Sequence, residues 1–190
     1  SMLKTLHVGC NTHKFKSVAL LSLLLATAYV PAIAGTPTAQ APLPLIPLPA
    51  SVVQSTGSHV VTAQTPLRYH DERGAAVSRY FASLLQRTTG LSLVPASADA
   101  DDSTPGIDFR IESSASGLPA EGYRLAIDED QISVRAADER GLFYGAVTLW
   151  QLIAAAEGDR RMLPVLQIED APRFGWRGYM LDSARHFHSV

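Results

Sequence analysis

Three short stretches place apolar residues at every second position, and this period constrains the fold more than any other feature of the chain. Ile107, Phe109 and Ile111 alternate with Asp108, Arg110 and Glu112. Tyr123, Leu125 and Ile127 recur at the same spacing, as do Ile132, Val134 and Ala136. Successive side chains of a strand point to opposite faces, so each stretch reads as a half-buried strand. The link Asp128-Glu129-Asp130-Gln131 is short and polar, which suits a hairpin and therefore an antiparallel pair. Its three carboxylates read as a solvated turn rather than a cation site.

Two other segments repeat apolar residues every three or four positions. Over 74–88 these are Val77, Tyr80, Phe81, Leu84 and Leu85, the stripe of an amphipathic helix. Gly90 suits the left-handed position that follows a helix. The second helix runs from a cap at Asp138 to about residue 156. Asp138 can accept the backbone N–H groups that lack partners in a first turn. Leu142, Phe143, Ala146, Leu149, Trp150 and Ile153 give this helix the broader apolar face, and Gly141 and Gly145 would let it approach the sheet closely. Further strands are expected at 51–54, 59–63, 67–70, 91–94 (closed by Pro95) and 163–168. The expected fold is an α+β two-layer sandwich, a mostly antiparallel sheet with two helices on one face. At about 120 residues it is large enough for a core of its own.

Charge is distributed unevenly. Lys4, Lys14 and Lys16 are the only lysines, and no Asp or Glu precedes Asp71. Beyond residue 34 the 13 arginines face 18 carboxylates. A mildly acidic body without a basic stripe argues against nucleic-acid binding. Cys10 is the single cysteine, so the body has neither a disulfide nor a thiolate metal site. The polar stretch 95–106 carries Asp99, Asp101 and Asp102 but lacks the central glycine and terminal glutamate of a calcium loop, and reads as a surface loop.

Residues 1–34 read as a signal peptide: lysines without acids, the apolar run VALLSLLLATAYV, then Pro31 and small residues before a cut after Ala34. The run is shorter than the roughly 20 residues that span a bilayer, so no membrane attachment is expected after cleavage, and the product is secreted or periplasmic. Residues 35–42 begin a stretch with five prolines by residue 50, read as an extended spacer. Its second half, LIPLPASV, is apolar enough to dock on the domain that occupies 43–169.

Residues 168–187, IEDAPRFGWRGYMLDSARHF, resemble the entry to the catalytic barrel of the family 20 glycoside hydrolases, the β-N-acetylhexosaminidases. The resemblance rests on Asp170, Pro172-Arg173-Phe174, Arg177-Gly178, Met180-Leu181-Asp182 and Ala184-Arg185-His186-Phe187. LIPLPASV resembles the opening of that family's non-catalytic N-terminal domain, and DERGLFYGAVTLWQL (138–152) its last helix. The resemblance implies an accessory α+β domain followed, over 170–190, by the orphan first strand of a TIM barrel. It implies an exo-hydrolase of terminal β-linked N-acetylglucosamine or N-acetylgalactosamine. In that family the substrate's 2-acetamido oxygen is the nucleophile, aided by an Asp–Glu pair on a later barrel strand, with no metal or organic cofactor.

No catalytic residue is therefore expected within this chain, and the fragment is expected to be inactive alone. Asp71-Glu72 and Asp138-Glu139 are adjacent acid pairs, but both lie outside the barrel, and the helix dipole accounts for carboxylates at a helix start. The one substrate-binding residue that the resemblance carries over is Arg185, whose planar fork would grip the 3- and 4-hydroxyls of the terminal sugar. The alternative is a structural arginine paired with Asp182. Arg177 is expected to bond at the base of the barrel. His186 and His188 have no third ligand in sight and are not expected to hold a metal. The implied partners are an amino-sugar glycan and the missing catalytic barrel. The rival expectation is a standalone secreted interaction or glycan-binding module. Such a module needs exposed aromatics, whereas Tyr69, Tyr80, Tyr123 and Trp150 mostly fall on expected core faces.

Overall fold

The computed structural model describes residues 42–98, 105–112 and 117–180. The elements run β1 (Ser51–Val61), β2 (Leu67–Tyr69), α1 (Glu72–Thr89), β3 (Pro95–Ser97), β4 (Gly106–Ile111), β5 (Tyr123–Ile127), β6 (Gln131–Ala136), α2 (Glu139–Ala155) and β7 (Arg161–Asp170). The strands form one sheet in the order β1-β7-β5-β6-β4-β2-β3. Ile107, Phe109, Leu125, Ile127, Ile132 and Val134 all face the same side, where they meet Val77, Phe81, Leu85, Leu142, Leu149 and Ile153 of the two helices. This confirms two layers with both helices on one face.

The sheet is mixed rather than mostly antiparallel. Its β1–β7, β7–β5 and β5–β6 pairings are antiparallel, whereas β6–β4, β4–β2 and β2–β3 are parallel. The cause is connectivity. A helix-length crossover returns the chain to the end of the sheet where it started, which makes the strands it joins parallel. Helix α1 does this between β2 and β3, and α2 between β6 and β7, with β5 inserted between those two strands. Among the described residues only the Asp128–Gln131 link is a tight hairpin, closed by Asp128 N–H donating to the Gln131 carbonyl at 2.8 Å.

Three local expectations also change. The strands expected at 51–54 and 59–63 are one strand, β1, whose register shifts between Gln54 and Ser58; Gly57 lies within the irregularity at φ +114°. No strand forms at 91–94. Leu91 and Leu93 are buried there, and the short edge strand begins at Pro95, where a missing N–H costs nothing. Of the expected barrel entry over 170–190, the described residues beyond β7, 171–180, form no strand, and Phe174 and Trp176 are exposed.

Both helix starts follow local chemistry. Asp71 caps α1 by accepting Gly74 N–H at 2.6 Å, and Asp138 caps α2 by accepting Gly141 N–H at 2.9 Å. Gly90 ends α1 in the left-handed region and donates to the Gln86 carbonyl. Helix α2 sits close to the sheet because a Cβ on Gly145 would lie 2.5 Å from Val134 Cγ1. The segment before β1 joins the core through Leu45, and Gln151 brackets Ile46 by accepting its N–H at 2.8 Å and donating to its carbonyl at 3.2 Å.

Candidate functional site

The acid pairs do structural work. Asp71 and Asp138 are helix caps, and Glu72 and Glu139 stand in first turns, where the helix dipole favours negative charge. Burial pushes the Asp138 carboxyl upward, yet the backbone N–H groups of Gly141 and Glu121 and the Arg140 guanidinium together hold it below the ordinary carboxylate range.

The helix-free face of the sheet carries a row of arginines at one register level, Arg110, Arg135 and Arg124 on β4, β6 and β5. Like charges on neighbouring strands repel, and carboxylates interleave to offset this. Arg124 donates through Nε and Nη2 to Glu169 Oε2 at 3.2 and 2.9 Å, and Arg135 pairs with Glu112 at 3.4 Å. Arg110 lies 3.9 Å from Asp108, which also meets His70 Nε2 at 2.5 Å. Asp108 is buried, so His70 and Arg110 rather than solvent face its carboxyl group.

The outer face of the helices differs. Tyr80 and Phe143 meet at a tilt of 47° with 5.2 Å between ring centres, Tyr80 being nearly half exposed, and Phe143 meets Tyr144 edge-on at 6.1 Å. Beside them, residues 46–48 and 170–177 border a groove of about 490 Å³ over α2, whose walls include Leu48, Phe143, Val147, Thr148, Gln151 and Phe174. Ile46, Leu48, Phe174, Trp176, Tyr179 and Met180 are all more than 60 % exposed. Of these, Ile46, Leu48 and Phe174 line the groove, and exposed apolar residues gathered around it mark an interaction surface.

Polar ties hold the rim. Arg173 Nη2 donates to the Leu48 carbonyl at 3.2 Å. Arg177 donates through Nη1 to the Phe174 carbonyl at 2.7 Å and through Nη2 to Glu121 Oε2. The Glu121 hydrogen bond raises the Arg177 pKa further above its ordinary value. Arg177 is thus bonded to this domain. Glu121 also takes Arg140 Nη1 at 2.9 Å and the Tyr144 hydroxyl at 3.4 Å.

Arg185, Asp182, His186 and His188 lie outside the described residues, as do Asp99, Asp101 and Asp102. Among the described residues no three His, Cys, Asp or Glu side chains are grouped to hold a metal ion. Sequence reading missed Glu121, whose only local signal is the position just before Gly122 in a turn, and it missed the exposure of Tyr80, because a helical stripe does not say how wide the covering layer is.

Comparison with known proteins places this geometry. The family model described as "Glycosyl hydrolase family 20, domain 2" matches residues 43–171. A beta-hexosaminidase of Porphyromonas gingivalis is 34% identical over 152 residues, covering 77% of this chain and 19% of its own length. The structure of a GH20 exo beta-N-acetylglucosaminidase from Vibrio harveyi in complex with N-acetylglucosamine superposes with a TM-score of 0.66 at 28% identity, covering 77% of this chain and 22% of that one. The GH20 beta-N-acetylhexosaminidase of Streptomyces coelicolor gives 0.61 at 31% identity, over 74% and 29%. The chain therefore spans less than a third of these relatives. A two-layer domain of this topology, matched along nearly its whole described length, belongs to glycosyl hydrolase family 20, whose domain 2 it carries.

Proposed function

We propose that this chain is the N-terminal portion of a secreted or periplasmic β-N-acetylhexosaminidase, and that the described domain is its accessory layer. The parent hydrolyses terminal β-linked N-acetylglucosamine or N-acetylgalactosamine by the substrate-assisted route, with the catalytic Asp–Glu pair supplied by a barrel that follows. Residues 170–190 start that barrel, and Arg185 holds the terminal sugar's hydroxyls. Residues 1–34 direct export. The observation that carries this reading is the apolar outer face of α2 with its rim of exposed side chains, adjoining the segment that leads toward Arg185. The catalytic barrel covers that face.

The 190-residue chain alone is inactive in this reading, because general acid catalysis needs the carboxylic acid of the barrel. The test is an assay on chromogenic β-N-acetylglucosaminide and β-N-acetylgalactosaminide. Purified chain should give no turnover, and the chain extended through a complete barrel should hydrolyse both or one. Turnover by the purified 190 residues, or none by the extended protein, overturns the proposal.

Exposed Trp176 and Tyr179 favour one rival, a freestanding glycan-binding module that stacks sugars on these rings. Titration with chitooligosaccharides separates the two readings. Saturable binding that is lost on Trp176→Ala supports the module, and no binding supports the accessory layer.

A further inference from the structure

We propose that Glu121 is a latch that fixes the path of the chain beyond β7, by holding Arg177 against the N-terminal end of α2. Among the described residues Glu121 is the only non-glycine with positive φ, at 59°. Such a conformation is strained for a residue with a Cβ, whereas glycine adopts it freely. The turn itself therefore has no need of a glutamate, and the carboxylate's three partners supply the reason for one.

The backbone of Glu121 is wedged in place. Its N–H donates to Asp138 Oδ2 at 3.1 Å, and the next residue, Gly122, donates to the Pro119 carbonyl at 2.8 Å. Gly141 leaves no room behind it, since a Cβ there would lie 2.4 Å from the Gly122 carbonyl oxygen. The Glu121 side chain is 17% exposed, while those of Arg140 and Arg177 are 67% and 44% exposed. A sheltered acid on a fixed backbone thus gathers two surface guanidiniums and the Tyr144 hydroxyl. Arg140 and Tyr144 belong to α2, whereas Arg177 belongs to the segment leaving the domain. Joining these two parts is what the carboxylate adds.

With Arg173 tied to the Leu48 carbonyl, the segment is held at two points four residues apart, and Phe174 and Trp176 face outward around them. Glu121 and Arg177 then act as positioning residues, setting the direction in which an attached catalytic barrel departs. That consequence rests on the reading above, but the latch is a property of this chain.

The test is limited trypsin digestion of the folded chain, with the rate of cleavage after Arg177 followed by mass spectrometry. Glu121→Gln removes the charge. Glu121→Gly also removes the carboxylate while relieving the backbone, so it stays folded if the first variant does not. Both should be cut after Arg177 about fivefold faster than wild type, with cleavage elsewhere unchanged. A rate within twofold of wild type in either folded variant, or an equal acceleration at sites throughout the domain, overturns the latch. Loss of the latch leaves the hexosaminidase reading standing, and an inactive extended protein with a normal latch leaves this proposal standing.

Discussion

Arg161 joins the C-terminal ends of both helices: its guanidinium donates to the Thr89 carbonyl at 3.2 Å and to the Ala156 carbonyl. Thr89 is the last residue of α1, and Ala156 caps α2. The final carbonyls of a helix lack intrahelical partners and carry the negative end of its dipole, so one cation satisfies two helices at once. Arg161→Ala should destabilise the domain by about 2 kcal/mol, and Arg161→Lys by less, because an ammonium has no planar fork to divide between two carbonyls. Urea unfolding followed by circular dichroism measures both.

Tyr123 and Thr148 form a buried hydroxyl pair at 2.7 Å. Thr148 donates to the Tyr144 carbonyl at 3.1 Å, so the phenol donates to Thr148. Burial is the main cause that pushes the Tyr123 phenol up from 10.0 to about 12, and the negative charge of Asp170 reinforces the rise. A raised folded value means that the contribution to stability is complete below pH 10 and is lost as pH rises toward 12. Tyr123→Phe should cost about 1 kcal/mol at neutral pH and flatten the fall in stability between pH 10 and 12. Unfolding curves at pH 8 and 11 for both proteins check this.

Asp138 accepts N–H groups from two segments, Gly141 at the start of α2 and Glu121 in the preceding turn. Asp138→Ala should cost about 1–2 kcal/mol. Asp138→Asn should cost less, because its amide oxygen still caps the helix while its amide nitrogen cannot accept from Glu121. Because the folded carboxyl lies below its ordinary 3.8, its contribution is present above that pH and is lost as pH falls through the depressed value. Acid unfolding of wild type should therefore show a limb that Asp138→Asn weakens.

Gly141 and Gly145 both face crowded space, but the obstacle differs. A Cβ at Gly145 meets side chains, Val134 Cγ1 at 2.5 Å and Tyr123 Cδ2 at 3.0 Å, whereas one at Gly141 meets the Gly122 carbonyl oxygen at 2.4 Å and the Glu121 carbonyl carbon at 3.0 Å. Alanine improves helix propensity by about 1 kcal/mol in open positions. Here overpacking should reverse that sign, with Gly145→Ala costing about 1–3 kcal/mol and Gly141→Ala more, since backbone yields less than a side chain. Thermal melts of the two variants rank them.

Most of the elements, and the inward face of each, were legible in local periodicity. Periods of two and of three to four record which side of each element avoids water, and Asp138 and Gly90 mark helix ends through hydrogen bonds made within a few residues. The barrel-entry motif likewise identified the family, because it is a local string. Tertiary structure alone decided what depends on which distant strands become neighbours. It made half of the sheet parallel, inserted β5 between β6 and β7, and set three arginines level across three strands. It also left Tyr80 exposed and brought Glu121 to Arg177 across 56 residues. Alternation tells a strand which face is buried but carries no information about the direction of its partner. A contact between residues far apart in sequence follows from the packing of whole elements, so no short window of sequence can record it.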